Sequence, residues 1–491
     1  MPRTLPWILA VFVLAPPVAE AAVKPAGVFG DNMVLQQDLP VAVWGTAGPN
    51  EPVTVELAGR SVPAKAAPDG AWRADLPPMK ADGKPLTLTL KSPTDTVTLR
   101  NVLLGEVWLA GGQSNMGRPV SEEAAKAADR PQIRLFNSSG STPRREGVDE
   151  VTGWIVCTPA SIATAGDSQG EAKGRRPFSE VAYHFGLRLH ENLKVPVGLI
   201  QVNCGGSTAK DWTPLPEVGD KIPYDQPLPK ITHTPGVLYW VRLRGLVPLA
   251  LRGVVWYQGE DDGRNRQYAQ DFAGLIESWR RLWGRPDMPF YYAQIAQTTY
   301  AGGMLGVWEA QRWVMDHVPH TGMAVSNDIY EGTTNGGFKR RDEPTLGWPI
   351  AGGSNPHPTG KPLVARRLAD MALVHTYGTL KAVVFGPMYD SHQVQSNKIV
   401  VRFKHTGSGL TTVDGQPPNW FEISDGTRDA RKLRYVKAEA RIAGPDTVET
   451  SAPGIDRPEF VRFGWHALAR FNLANKEGLP AVSFRTDNEP F

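Results

Sequence analysis

"VWLAGGQSNMGR", residues 107–118, decides how the middle of this 491-residue chain is read. Val107, Trp108, Leu109 and Ala110 form an apolar run that suits a strand covered on both faces, and the glycines at 111 and 112 mark a sharp turn at its carboxyl end. Open α/β sheets bind their ligands at that end of the strands. The serine between Gln113 and Asn115 is then either a surface hydroxyl on an ordinary connection or a nucleophile at a sheet edge. The surrounding sequence has to decide between the two.

From Gly105 onward, apolar runs alternate with amphipathic helices. "FSEVAYHFGLRLHENL" places Val181, Phe185 and Leu189 on one helical face, with Ser179 able to cap its start. "VPVGLIQVNCGGS" and "LRGVVWYQGED" read as strands that end in glycine. The helix after the second carries Phe272, Leu275, Ile276, Trp279 and Trp283 in one stripe. "MPFYYAQIA" and "GMAVSNDI" add strands, and "KPLVARRLADMALVH" closes the region with Val364, Leu368, Met371 and Ala372 on one face. This alternation predicts an α/β domain over 105–379, a mostly parallel sheet with helices on both faces.

On either side the pattern changes to short alternating runs. "PVAVWGTAGP", "EPVTVELAG", "APDGAWRADLPP" and "LTLTLKSPTDTVTLRNVLL" predict an amino-terminal β-rich module over 22–104. "KAVVFGPMY", "NKIVVRFKH", "FEISDG" and "EFVRFGW" predict a second over 380–491. Residues 1–21 carry Arg3, an apolar stretch from Leu5 to Ala15, and small residues at 19 and 21, the pattern of a secretory signal peptide. The stretch is too short to span a bilayer, so the expectation is a secreted or periplasmic protein with no membrane anchor. Fifty-three Lys and Arg against 50 Asp and Glu leave a net charge of +3, which points away from nucleic acid as a partner. Cys157 and Cys204 lie in apolar contexts and read as two buried thiols, with a disulfide as the alternative.

Three strands of the middle region end in small or polar clusters: "GGQSN" at 111–115, "NCGGS" at 203–207 and "YQGED" at 257–261. In a parallel sheet these ends share one edge, and "NPHP" at 355–358, just before the last helix, can bring His357 there. Together they supply the groups of acyl transfer through a serine ester. Ser114 would attack and His357 would take its proton. The Ser114 and Gly206 backbone N–H groups and the Gln258 side-chain amide would hold the oxyanion. No metal or cofactor is called for. Glu260, Asp261 and Asp262 could instead supply half of a glycosidase carboxylate pair, or serve as hydrogen-bond anchors. Met116 stands where an α/β-hydrolase nucleophile elbow would need its second glycine.

These residues resemble those of the sialate O-acetylesterases and their bacterial relatives among the SGNH hydrolases. "FGDNMVLQQDLPVAVWG" (30–45), "GEVWLAGGQSNM", "VPVGLIQVNCGGSTAKDWTP", "VVWYQGEDD", "GPMY" (386–389) and "NKEGLPAVSFRTD" (475–487) are similar to the family's blocks and fall in its order. The resemblance implies an SGNH-like, flavodoxin-like sheet and a Ser114 nucleophile with His357 as base. It also implies Gly206 and Gln258 as oxyanion donors, with Gln113, Asn115 and Glu260 supporting the site by hydrogen bonds. The implied substrate is an acetylated carbohydrate, either sialic acid or a plant or algal polysaccharide. Two alternatives stand beside this: a catalytically weak carbohydrate-binding protein, and a short-chain esterase without sugar preference.

The chain departs from the family in two places. Relatives carry an acid two or three positions before the catalytic histidine, where this chain has Asn355 and Ser354. Asn355, an acid from elsewhere such as Asp328 or Asp342, or a backbone carbonyl would then orient the imidazole. A slower enzyme or a higher pH optimum is the expected consequence. The second departure is the long glycine-rich insertion over 330–354, which adjoins the base and is expected to shape the substrate mouth.

Overall fold

The computed structural model describes residues 22–138, 153–166, 176–216, 218, 233–300, 302–329, 346–349 and 355–489. The expected signal peptide, Asp342, Ser354 and all of the 330–354 insertion except 346–349 lie outside them.

The apolar run of the opening motif is the carboxyl half of β1 (Thr96–Gly112), and every residue from Val102 to Gly112 is buried. Around it stand β2 (Arg130–Asn137), β3 (Trp154–Cys157), β4 (Val197–Asn203), β5 (Gly253–Tyr257), β6 (Phe290–Ala293) and β7 (Thr321–Ala324), in the order β3-β2-β4-β1-β5-β6-β7. All these pairings are parallel except β3 with β2 at the edge. The chain builds outward on one side of β1, returns as β4, then continues on the other side as β5. The carboxyl end of β1 is therefore the point where the strand order reverses, the place where open α/β sheets bind ligands.

Register and side-chain alternation place helices on both faces. Trp108 lies opposite Gly253 and Trp256 opposite Gly111, so the two indoles project to opposite sides of the sheet. Phe185 of α1 (Glu180–Leu193) meets Trp108 edge-on at 5.1 Å, and Trp279 of α2 (Tyr268–Leu282) meets Trp256 at 5.5 Å. Helix α3 (Met304–His317) packs beside α2, and α4 (Lys361–Met371) beside α1. The expected stripes are the buried faces: Val181, Phe185, Leu189, Phe272, Leu275, Ile276, Trp279, Val364, Leu368 and Met371 are fully covered. Ser179 caps α1 by accepting from the Ala182 N–H at 3.0 Å.

The amino-terminal sheet is continuous with the central one. The first half of β1 pairs antiparallel with Leu86–Lys91, and the second half is the central strand, so residues 104 and 105 fall inside one element. Glu106 ties the two parts together. Its buried carboxylate accepts from Arg252 at 2.7 and 3.0 Å, Gln36 at 3.0 Å, Gln37 at 2.8 Å and Tyr377 at 2.8 Å. A buried charge with this many donors is compensated, which explains how it is tolerated.

The carboxyl-terminal strands have a core of their own, from Ile399 to Phe484. The run "KAVVF" before them is not a strand: Val383 is exposed and no strand precedes Met388 there. This region also holds residues 346–349. Trp348 stacks on Trp420 at 6.2 Å under the Lys437 ammonium at 3.9 Å. Pro349 O accepts from Trp420 Nε1 at 2.8 Å and from the Arg470 N–H at 3.2 Å. Pro349 is thus anchored on this module a short way before His357 in sequence. Trp420→Ala is expected to cost about 3–5 kcal/mol. It should also lower turnover at temperatures where the variant is fully folded; thermal melts read beside acetate release check both.

Candidate active site

The turn after β1 depends on Gly112. Its φ is +139°, and a Cβ there would lie 2.2 Å from Tyr257 O on β5. Only glycine allows β1 to stay paired to both neighbours through its last residue while the chain swings out to present Ser114. Gln113 fixes the swing: its N–H bonds Tyr257 O at 3.0 Å, its side-chain oxygen accepts from the Gly259 N–H at 3.1 Å, and its Nε2 donates to Asp261 at 2.9 Å.

Ser114 Oγ and His357 Nε2 are 2.8 Å apart, joining loops 243 positions apart in sequence. Both are half-buried. Among the described residues, the N–H groups of Ser114 and Gly206 donate to nothing. Gly206 has a φ of +71° and open space where a side chain would stand.

The site differs from expectation at two residues. Gln258 is fully buried, and its Nε2 donates to Asp262 Oδ2 at 2.6 Å and Ser207 O at 3.0 Å. Both amide hydrogens are thus committed, and none is left for an oxyanion; this corrects the role expected of the residue. The bond to Ser207 O instead steadies the turn that carries Gly206. Asn355 does not orient the imidazole either: its side-chain oxygen accepts from the His357 backbone N–H at 3.1 Å. Asp328 is held bidentately by Arg367 at 2.7 and 2.6 Å. Among the described residues, no group bonds His357 Nδ1.

Burial, with the Arg118 and Lys361 cations nearby, pushes the imidazole down to about 4. The neutral base therefore persists to lower pH than in a free histidine. The expected direction of the pH effect is therefore reversed: the acid limb of kcat/KM should lie near 4. Asn355→Asp keeps the backbone acceptor and adds a negative charge beside the ring, which favours the imidazolium. The acid limb is expected to move up by about one pH unit, with faster turnover at neutral pH. A pH–rate profile with no displacement would oppose this account.

The three acids after Gly259 are anchors. Asp261 receives Gln113. Asp262 receives Gln258, the Ala209 N–H at 2.9 Å and Asn265 at 3.0 Å. Glu260, 1% exposed, receives Asn115 Nδ2, and burial raises its pKa. The same Nδ2 donates to Pro356 O at 2.9 Å, and Asn115 Oδ1 accepts from Lys361 Nζ at 2.6 Å. Sequence reading missed Lys361. Its signal was a lysine in the first turn of a helix, where the dipole disfavours a cation. Cys157 and Cys204 are buried and not joined in a disulfide, and burial pushes the Cys157 thiol up to about 12.

Comparison with known proteins gives a consistent set of matches. The family described as carbohydrate esterase, sialic acid-specific acetylesterase, matches residues 104–351. The sialate O-acetylesterase of Homo sapiens is 27% identical over 418 residues, spanning 76% of this chain and 75% of that protein. The Rattus norvegicus sialate O-acetylesterase is 28% identical over 428 residues, 73% of this chain and 74% of that protein. The crystal structure of a carbohydrate acetylesterase from Xanthomonas citri superposes with a TM-score of 0.79 at 29% identity, covering 95% of this chain and all of that one.

Proposed function

Because the chain belongs to the carbohydrate esterase family of sialic acid-specific acetylesterases, and is thereby a carboxylic-ester hydrolase, we propose that it removes O-acetyl groups from a sugar by a Ser114–His357 acyl-enzyme mechanism on an SGNH-like sheet. The observation that carries the mechanism is the 2.8 Å contact between Ser114 Oγ and His357 Nε2 at the point where strand order reverses.

In this reading Ser114 Oγ attacks the acetyl carbonyl as its proton passes to His357 Nε2. The N–H groups of Ser114 and Gly206, which donate to nothing among the described residues, would receive the oxygen that gains charge. His357 returns the proton to the departing sugar oxygen, leaving Ser114 acetylated. A water, deprotonated by the same nitrogen, then attacks the acetyl carbonyl; the bond to Ser114 Oγ breaks as His357 returns that proton to Oγ, and acetate leaves. Glu260, Asp261 and Asp262 do not serve as acids: each is tied into the loop that frames the site.

The amino-terminal pattern supports export, and among the described residues no helix is long and apolar enough to cross a membrane. The test of the function is acetate release from O-acetylated sialosides, xylan and pectin by the wild type beside Ser114→Ala. Release that depends on Ser114 supports the proposal and identifies the sugar class. Sugar binding without release would favour the carbohydrate-binding alternative, and equal rates on simple and sugar acetates the unspecific esterase.

A further inference from the structure

The base has no orienting acid on its Nδ1 among the described residues, yet it sits at hydrogen-bond distance from the nucleophile. The contacts of its own loop bear directly on where it sits. The contacts around the two loops lead to one side chain. Asn115 directly follows the nucleophile, and its Nδ2 donates at 2.9 Å to the carbonyl of Pro356, the residue directly before the base. One amide thus bridges the two loops that carry the reacting groups.

An amide does this only in one orientation, since turned over it would aim oxygen at oxygen. Lys361 decides which. Its ammonium can only donate, and it donates to Asn115 Oδ1 at 2.6 Å. On the other side of the amide, the Pro356 carbonyl and the Glu260 carboxylate accept from Nδ2. A donor-only group on one side and acceptors on the other leave a single stable orientation. Lys361 is 1% exposed, and its ammonium also lies over the face of Tyr257 at 4.9 Å. Burying an ammonium is costly, and the Glu260 and Glu180 carboxylates nearby offset part of that cost.

We propose that Lys361 is a positioning residue for catalysis: through Asn115 it holds the His357 loop against Ser114. This inference rests on the Ser114–His357 mechanism, so its test needs a readout that does not depend on the sugar substrate. Lys361 touches neither reacting group, and its loss should leave the oxyanion donors and the sugar-facing loops in place.

The variants are Lys361→Met, which keeps the stem and removes the donor, and Lys361→Met with Glu260→Gln, which also removes the charge left behind. Each is measured for thermal stability, for kcat and KM in acetate release, and for the rate at which an organophosphonate ester modifies Ser114. The last reports on the base-assisted nucleophile whatever the natural substrate is. Loosening the base is expected to lower kcat and the phosphonylation rate by about 10²-fold with KM nearly unchanged. Lys361→Met alone should also melt earlier. The double variant should recover stability but not rate.

A double variant as fast as the wild type would overturn the proposal, reducing Lys361 to a counter-charge for Glu260. Wild-type phosphonylation speed in a folded Lys361→Met would overturn it as well. If the wild type modifies at Ser114 but releases no acetate from any sugar, the functional reading fails, and the phosphonylation rates still decide the role of Lys361.

Discussion

Ser114→Ala is expected to lower kcat for acetate release by roughly 10⁴- to 10⁶-fold, with the protein folded as before. The hydroxyl is half-exposed, and among the described residues its side-chain partner is the half-buried His357 Nε2, so removing it leaves no fully buried group unpaired. Stability should change by less than about 0.5 kcal/mol. His357→Ala should cost a similar factor, because a serine hydroxyl without its base is a poor nucleophile. The double variant should be no slower than either single one, since the two groups act as a unit. Multiplicative losses would mean that they act in separate steps. Loss of sugar binding in Ser114→Ala would mean that the serine serves recognition and not chemistry.

Gly112→Ala is expected to have the largest structural effect. The added methyl would lie 2.2 Å from Tyr257 O and 2.8 Å from Tyr257 C, both backbone atoms of a central strand that cannot turn aside. The residue also sits at φ +139°, where a side chain is strained regardless of space. Relief would require parting β1 from β5 at the point that bears Ser114. A loss of more than about 4 kcal/mol follows, together with inactivity in whatever protein remains soluble. Gly206→Ala makes the contrast, because its Cβ would meet open space and only the positive φ opposes it. Urea unfolding of the two variants side by side separates the clash from the torsional cost.

Much of this architecture is legible in the amino-acid sequence. Strands that are apolar throughout and end in glycine announce a buried parallel sheet, because a strand covered on both faces has no polar side to show. The helix stripes are equally plain, and their expected members are buried apart from Trp283, which is partly covered at the end of α2. Loops rich in small residues after such strands, with a histidine before the last helix, are enough to point to the meeting of Ser114 and His357.

Local patterning thus dictates the elements and the edge they share: period-two and helical repeats are written in neighbouring residues, and a parallel sheet brings its carboxyl ends together whatever the loops contain. How the polar groups are spent is settled by folding alone. A glutamine carries donor and acceptor alike, and nothing in "YQGED" tells that both hydrogens of Gln258 go to Ser207 and Asp262. Asn355 could have reached the imidazole but bonds the backbone beside it. Lys361 and Asn115 stand 246 positions apart, and their 2.6 Å contact exists only because α4 docks beside the Ser114 loop. Burial supplies the rest. With the Arg118 and Lys361 cations near, it pushes His357 down to about 4, and that depends on which charges the docked loops bring within reach.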